Sequence, residues 1–358
     1  MKTKTKTKTK TRTRLIIAVF VACTCLVSES NAQQDVVLLK PAKGRSSNVL
    51  GRITATTKDS VEVTKGTKKR KVNVNEIRRV TFGSEPGGLK SARQAVMGEQ
   101  YEQALEALNR VEPDNRDTKF IRTEIEFYKA YAAGQLALRN SANANAAARG
   151  LVSFLKKNKD SFHVYESKVL LGDLAVALGN FDAAVRSYGD YASAPFPEYK
   201  IRGGILEANA LRATEQYAAA EKRYADVLRI PATGEEATRQ KTLAEIGKAA
   251  CTAARGNHAE ALQVLQQIID LNDPTDGEIF APAYNAMGLA YRKAGKNMDA
   301  ALAYLHVDVL FFNQRNEHAE ALYNLSSIWN DLNKPGRAVE ARKTLSQRYG
   351  GTVWAKRS

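Results

Sequence analysis

Apolar and polar side chains alternate with a period of two between residues 35 and 82. Ile53 and Ala55 alternate with Arg52 and Thr54, Val61 and Val63 flank Glu62, and Val72 and Val74 flank Asn73. That period sends successive side chains to opposite faces, so these runs predict half-buried strands. Lys65-Gly66-Thr67-Lys68, between two such runs, reads as a hairpin turn. Five short strands are predicted, enough for a small closed or half-closed β-barrel over 33–83. Gly83-Ser84-Glu85-Pro86-Gly87-Gly88 follows, and its Gly and Pro content predicts a linker over 84–88.

From residue 89 the period becomes helical. Leu171-Gly172, Gly179, Phe181, Ala184 and Tyr188 form one copy of a pattern, and Met287-Gly288, Gly295, Ala300 and Tyr304 form another. In both, the Ala lies 12 positions after the first Gly and the Tyr 4 further on. Small residues at these points let two helices cross closely, and the aromatic locks the pair. Ala recurs at 104, 184, 220, 261, 300 and 338, with steps of 36, 41, 39 and 38 over the last five. Glu99-Gln100-Tyr101 before Ala104 returns as Glu215-Gln216-Tyr217 before Ala220. A less regular pair occupies 119–157, where the Ala-rich stretch Ser141–Arg149 predicts a helix start. Thr233-Gly234-Glu235-Glu236 and Thr275-Asp276-Gly277-Glu278 read as capping boxes ahead of helices. Each helix pair leaves an apolar face that only a neighbouring pair can bury, so the pattern predicts an α-solenoid. The expected architecture is mostly α: six to seven helix pairs over 89–349, after a small all-β domain and before a tail at 350–358. Gly172, Ala184, Ala220, Ala261, Gly288, Ala300 and Ala338 are assigned to packing within it.

The signature of small residue, aromatic and Ala in two helices resembles the tetratricopeptide repeat family, most strongly at 166–192 and 282–306. The steps exceed the family's usual ~34 residues, and such lengthened repeats resemble exported bacterial members. The segment from Asp35 to Phe82 resembles the SH3-like and Sm-like small β-domains of exported bacterial proteins. The repeat resemblance implies a concave groove lined by the first helix of each pair, and a protein partner within it. It places Arg202, Asn209, Arg212, Asn285, Arg292 and Lys293 in that groove. Some family members grip a peptide carboxylate with Asn, Lys and Arg. Those positions are not filled here in the full order, so only a basic, amide-bearing groove carries over.

Charge changes this picture in one place. The chain of 358 residues has a formal net charge of +16, but +6 of it lies in 1–32 and +8 in 33–83. The remaining residues carry only +2, which excludes reading the solenoid as a nucleic-acid binder on net charge. Lys65, Lys68, Lys69, Arg70 and Lys71 cluster at the β-hairpin, with Arg78 and Arg79 close in sequence. Such a cluster raises local anion concentration. Lipid headgroups, anionic cell-wall polymers or acidic proteins would answer it, and nucleic acid is the alternative. Aromatics that stack bases are absent from this module except for Phe82. A solvated strand edge that discourages aggregation also accounts for the charge.

The first 32 residues read as an export signal. A basic stretch, Met1–Arg14, precedes the apolar run Leu15–Val27 and the small-residue site Ser30-Asn31-Ala32, with Gln33 as the mature start. Thirteen residues rise only about 20 Å as a helix, short of a ~30 Å hydrocarbon core. An uncleaved anchor is the alternative, and Cys23 lacks the Leu of a lipobox three residues before it. Cys251 is the one cysteine outside the signal, so no intramolecular disulfide is expected; its small-residue surroundings predict a packing role. The mature chain contains no GxSxG, Walker A, GxGxxG, HExxH or CxxC motif. None of His163, His258, His306 and His318 lies four residues from another. Asp273–Glu278 is acidic but lacks the ligand spacing of a calcium loop, and reads as a helix-capping loop. No catalytic residue, metal, cofactor or small-molecule substrate is therefore predicted. The expected function is that of an exported, non-enzymatic interaction scaffold of the bacterial cell envelope, periplasmic or envelope-associated, binding other proteins there. The alternative is an anionic-polymer or nucleic-acid binding module acting through the basic β-domain. Oligomeric state stays open.

Overall fold

The computed structural model describes residues 34–41, 47–112, 118–139 and 143–357. The expected export signal over 1–32 and its cleavage point at Gln33 lie outside the described residues, as do Ser141 and Ala142. From residue 33 onward the chain forms one compact unit.

Five strands form first: β1 (Asp35–Leu39), β2 (Asn48–Thr56), β3 (Ser60–Lys65), β4 (Lys68–Asn73) and β5 (Ile77–Thr81). They make an antiparallel sheet in the order β4-β3-β2-β1-β5. The hairpin pairs Lys65 with Lys68, and Gly66 takes a φ of 59°, a left-handed conformation that glycine adopts without strain. Val37, Val49, Ile53, Val61, Val63, Val72 and Val80 are buried together. Asp35 ties two segments to this sheet, its carboxylate accepting from the backbone N–H of Ile53 at 2.8 Å and of Gly83 at 2.9 Å.

The linker expected at 84–88 is instead a tight turn. The Phe82 N–H donates to Glu85 Oε2 at 3.0 Å, and the helix α1 (Gly87–Met97) already begins inside it. Pro86 accepts the first backbone bonds of α1 from Leu89 and Lys90. The physical reason is burial: the apolar face of the sheet is covered by Leu89, Ala92 and Phe120, so the β-module and the first helices share one core. Phe82 stacks on Phe120 at 6.5 Å. Gly and Pro here supply a sharp reversal and a helix start, not a flexible tether.

Seven helix pairs follow among the described residues. They are α1 with α2 (Tyr101–Asn109), α3 (Lys119–Arg139) with α4 (Ala144–Lys157), and α5 (Val164–Ala177) with α6 (Phe181–Ala192). Next come α7 (Pro197–Ala213) with α8 (Tyr217–Leu228), and α9 (Glu235–Ala254) with α10 (His258–Leu271). The last are α11 (Gly277–Lys293) with α12 (Asn297–Leu310) and α13 (Arg315–Asp331) with α14 (Pro335–Tyr349). The region 119–157, expected to be irregular, is a regular pair whose first helix is long. The recurrent Ala104, Ala184, Ala220, Ala261, Ala300 and Ala338 are at most 1% exposed. Glycine is required at three crossings against a tyrosine ring: a Cβ on Gly172 would lie 2.4 Å from Tyr188, one on Gly247 2.3 Å from Tyr224, and one on Gly288 2.6 Å from Tyr304.

The turn inside each of six pairs contains one residue with positive φ: Glu99, Gly179, Glu215, Gly256, Gly295 and Asn333. Each ends its first helix in the left-handed conformation that satisfies the last carbonyls. The Glu-Gln-Tyr tripeptide therefore marks the two turns where glutamate takes glycine's place. Neither expected capping box forms, and the cap position of each helix falls one residue after the threonine expected to fill it. Gly234, with φ of 105°, precedes α9 without a side-chain cap, and Asp276 caps α11 by accepting from the Glu278 N–H at 3.1 Å. Thr275 is already engaged, donating its N–H and its hydroxyl to Asp273 at 2.8 and 2.7 Å.

The expected tail is also structured. Residues Val353–Arg357 form a short helix, α15, which packs on α13 and α14. No helix is long and apolar enough to cross a membrane among the described residues.

Candidate functional site

First helices of successive pairs pack directly on one another, α3 on α5, α7 on α9, α9 on α11 and α11 on α13. The small rotation from pair to pair accumulates until early and late first helices face each other. Arg212 at the end of α7 reaches Glu320 on α13 at 3.6 Å, across three helix pairs. At the rim, Lys356 and Arg357 donate to the carbonyls of Ala177 and Ala213, which end α5 and α7, at 2.6 and 2.8 Å. The inner face is thus a channel bridged by contacts between early and late pairs, not an open trough.

Polar groups converge on its wall. Arg292 donates to Asn324 Oδ1 at 3.2 Å and to Ser327 Oγ at 2.7 Å. Glu320, Asn324 and Ser327 recur at helical spacing, so they form one stripe on α13. Burial opposes the charge of Arg212, but Glu320 outweighs it and holds the guanidinium above its ordinary pKa. Arg212 Nε is buried without a hydrogen-bond partner among the described residues. Burial raises Glu317 above the usual carboxylate range.

The residues assigned to the groove from sequence do not share one role. Arg202 is exposed on α7 and faces Asp173, Tyr188 and Tyr191. Asn209 accepts from the Tyr224 hydroxyl. Asn285 is buried, its amide donating to the Glu317 carbonyl at 2.9 Å, so it braces α11 against α13. Arg212 and Arg292 line the channel, and Lys293, next to Arg292 in sequence, is exposed. Glu320, Asn324 and Ser327 were not foreseen. Nothing local marks them, because their significance lies in what they face.

No family model matches the sequence, and no curated protein matches it. Among solved structures, the chain is similar to a tetratricopeptide repeat protein from Parabacteroides merdae ATCC 43184, with a TM-score of 0.54 and 17% identity. That match covers 75% of this chain and 96% of the other. It is also similar to a Rap protein complexed with competence and sporulation factor, with a TM-score of 0.50 and 15% identity over 75% of this chain and 76% of that one. The fold is a tetratricopeptide-type α-solenoid. At such identities the likeness is one of fold.

The basic β-module is less concentrated than its sequence. Lys65, Lys68, Lys69, Arg70 and Lys71 are exposed at the β3–β4 hairpin, and β4 is an end strand of the sheet. The pairing of Val63 with Arg70 and of Glu62 with Lys71 divides the run between two faces, and Lys69 pairs with Glu62 at 3.2 Å. Arg78 and Arg79 lie on β5, at the other end of the strand order; Arg79 is half-buried and donates to Met97 Sδ at 3.4 Å.

A buried charge cluster joins this module to the solenoid. Arg93 on α1 meets Glu85 at 2.8 Å and Glu124 on α3 at 3.4 Å. Glu124 also meets His163 Nε2 at 2.6 Å, while Glu166 meets its Nδ1 at 3.3 Å. Burial lowers the pKa of His163, but Glu124 and then Glu166 outweigh it and raise it to about 9. These contacts tie α1, α3 and the start of α5 to one another. Cys251 is buried, and burial pushes its thiol up to about 11, away from nucleophilic chemistry. Among the described residues no group of three His, Cys, Asp or Glu is placed to hold a metal ion.

Proposed function

We propose that the protein is a non-enzymatic adaptor of the bacterial cell envelope that binds a partner polypeptide in its solenoid channel. The observation that carries this reading is the convergence of Arg212, Arg292, Glu320, Asn324 and Ser327 from α7, α11 and α13 on one inner face. Planar guanidinium forks beside amide and carboxylate groups suit a peptide backbone or a carboxylate. The order of segments at the N-terminus supports export, with Gln33 as the mature start. The strand order β4-β3-β2-β1-β5 supports an SH3-like module, which orients the solenoid within the envelope.

Affinity capture of the exported chain from envelope extract tests the reading. Arg212→Ala with Arg292→Ala should abolish capture while circular dichroism stays helical. The module over 33–83 cannot be deleted cleanly, because it shares a core with α1 and α3. Neutralising Lys68, Lys69, Arg70 and Lys71 replaces that deletion. Capture that survives the channel changes and disappears on neutralisation would transfer the function to the β-module and an anionic partner. An intact Met1 on the native protein would remove the export assignment.

A further inference from the structure

The rim already carries a polypeptide segment, residues 350–357 of this chain. After α14 the backbone passes the ends of three first helices in turn. Gly351 lies against the Arg139 carbonyl that ends α3, where an added Cβ would stand 3.5 Å away. Lys356 donates to the Ala177 carbonyl at the end of α5, and Arg357 to that of Ala213 at the end of α7. Trp354 packs on Tyr323 of α13 at 5.3 Å. The Arg357 guanidinium lies over Phe181, the first residue of α6, at 5.8 Å and over Trp354 at 5.4 Å. The last carbonyls of a helix lack intrahelical partners and carry partial negative charge, so two cations are well placed there. Aromatic faces beside them take the guanidinium and the indole.

This occupant is weakly held. α15 has five residues, too few to be helical alone, and none of them is fully buried. The other helices each bury several. An element with such contacts opens at low cost while the rest stays folded.

We propose that residues 350–357 are an intramolecular latch, and that the rim formed by the ends of α3, α5 and α7 receives from a partner the same chemistry: a short segment with an aromatic residue followed by two cations. This rests on the channel reading above and names the partner's character. The latch wins over a free segment by tethering. A tail joined directly to α14 has an effective concentration in the millimolar range, so a partner must bind tightly or be presented more than once.

The test uses the full-length protein and a dye-labelled synthetic peptide of residues 350–358, read by fluorescence anisotropy. The wild-type chain should bind the peptide weakly, because its own tail is in place. Trp354→Ala with Lys356→Ala and Arg357→Ala should bind it at least about tenfold more tightly, as expected when a tethered competitor is removed. A peptide with Ala at both cationic positions should lose most of that binding. Lys356→Ala with Arg357→Ala keeps the Trp354 contact and reads the same effect should the triple variant not fold. Equal binding by wild type and variants, no binding by either variant, or indifference to the peptide's cations would each overturn the latch. Failure of the peptide alongside successful, channel-dependent capture of a partner overturns the latch and leaves the adaptor reading standing. Peptide binding without any partner captured from extract does the reverse.

Discussion

Tyr188 donates its hydroxyl to Asp173 at 2.7 Å, and Asp173 lies directly after Gly172, the residue on which the Tyr188 ring packs. Tyr224 makes the same bond to Asn209, at the same separation of 15 residues. Both buried tyrosines thus have their hydroxyl satisfied from the preceding first helix, but the Tyr188 ring packs on Gly172 of that same helix and the Tyr224 ring on Gly247 of the next first helix, α9. That bond engages Asn209 as the acceptor of a core tyrosine.

Asp173→Ala leaves the Tyr188 hydroxyl without its acceptor. It should cost about 1–3 kcal/mol, the penalty for an unsatisfied buried polar group. Tyr188→Phe should cost less, and a urea-denaturation double-mutant cycle should show the two changes to be coupled. Additive losses would mean that the bond contributes nothing.

Gly288→Leu forces atoms into the Tyr304 ring, 2.6 Å from the first added carbon. Overpacking of this kind costs about 1–3 kcal/mol. The melting temperature should fall clearly, while Gly150→Ala on α4, where an added Cβ meets nothing within 4 Å, should leave it equal or higher.

Glu215 takes a φ of 60°, a conformation that costs an L-residue roughly 1–2 kcal/mol and glycine almost nothing. Glu215→Gly should therefore stabilise the protein, against the usual direction for a glycine substitution. Thermal unfolding of this variant beside Glu215→Ala separates the backbone effect from loss of the side chain.

His163 gives a pH dependence of known sign. Its folded value of about 9 lies above its ordinary 6.5, so the charged form is favoured by folding. The stabilisation is complete below about pH 6.5 and is lost as pH rises through about 9. At most it amounts to a few kcal/mol, since one pKa unit corresponds to about 1.4 kcal/mol. The groups facing it are Glu124, Glu166, Arg93 and Tyr128. Midpoints in urea should fall between pH 6.5 and 9, and His163→Gln should flatten that fall.

Arg93→Ala would leave Glu85 and Glu124 buried without their cation. Removing one partner of a buried pair costs about 3–5 kcal/mol. The sheet should loosen together with α1 and α3 because they share a core, which amide hydrogen exchange across 35–82 would register.

The solenoid was legible because its crossings demand small residues at fixed spacing, as at Gly172, Ala184, Gly288 and Ala300. The strands were legible because one face is buried and the other wet. What was not legible joins distant positions. Glu85, Arg93, Glu124 and His163 come from four separate elements, and no local period announces that they meet. The turn at 84–88 read as a linker because Gly and Pro mark sharp reversals and tethers alike; only the burial of Glu85 tells them apart. Arg212 could be placed on a first helix, yet its encounter with Glu320 depends on curvature summed over three pairs. The tail read as a tail because Lys356 and Arg357 gain their carbonyl partners on α5 and α7 only from that same curvature.

The meeting of Arg212 with Glu320 makes the count of repeats matter. An open stack of helix pairs can lose or gain a unit and remain a serviceable stack. Here an extra pair would carry Glu320 past Arg212 and swing Lys356 and Arg357 away from the ends of α5 and α7. Lengthening or shortening this chain by one repeat therefore undoes these contacts, so duplication and deletion of units are constrained here as they are not in linear arrays.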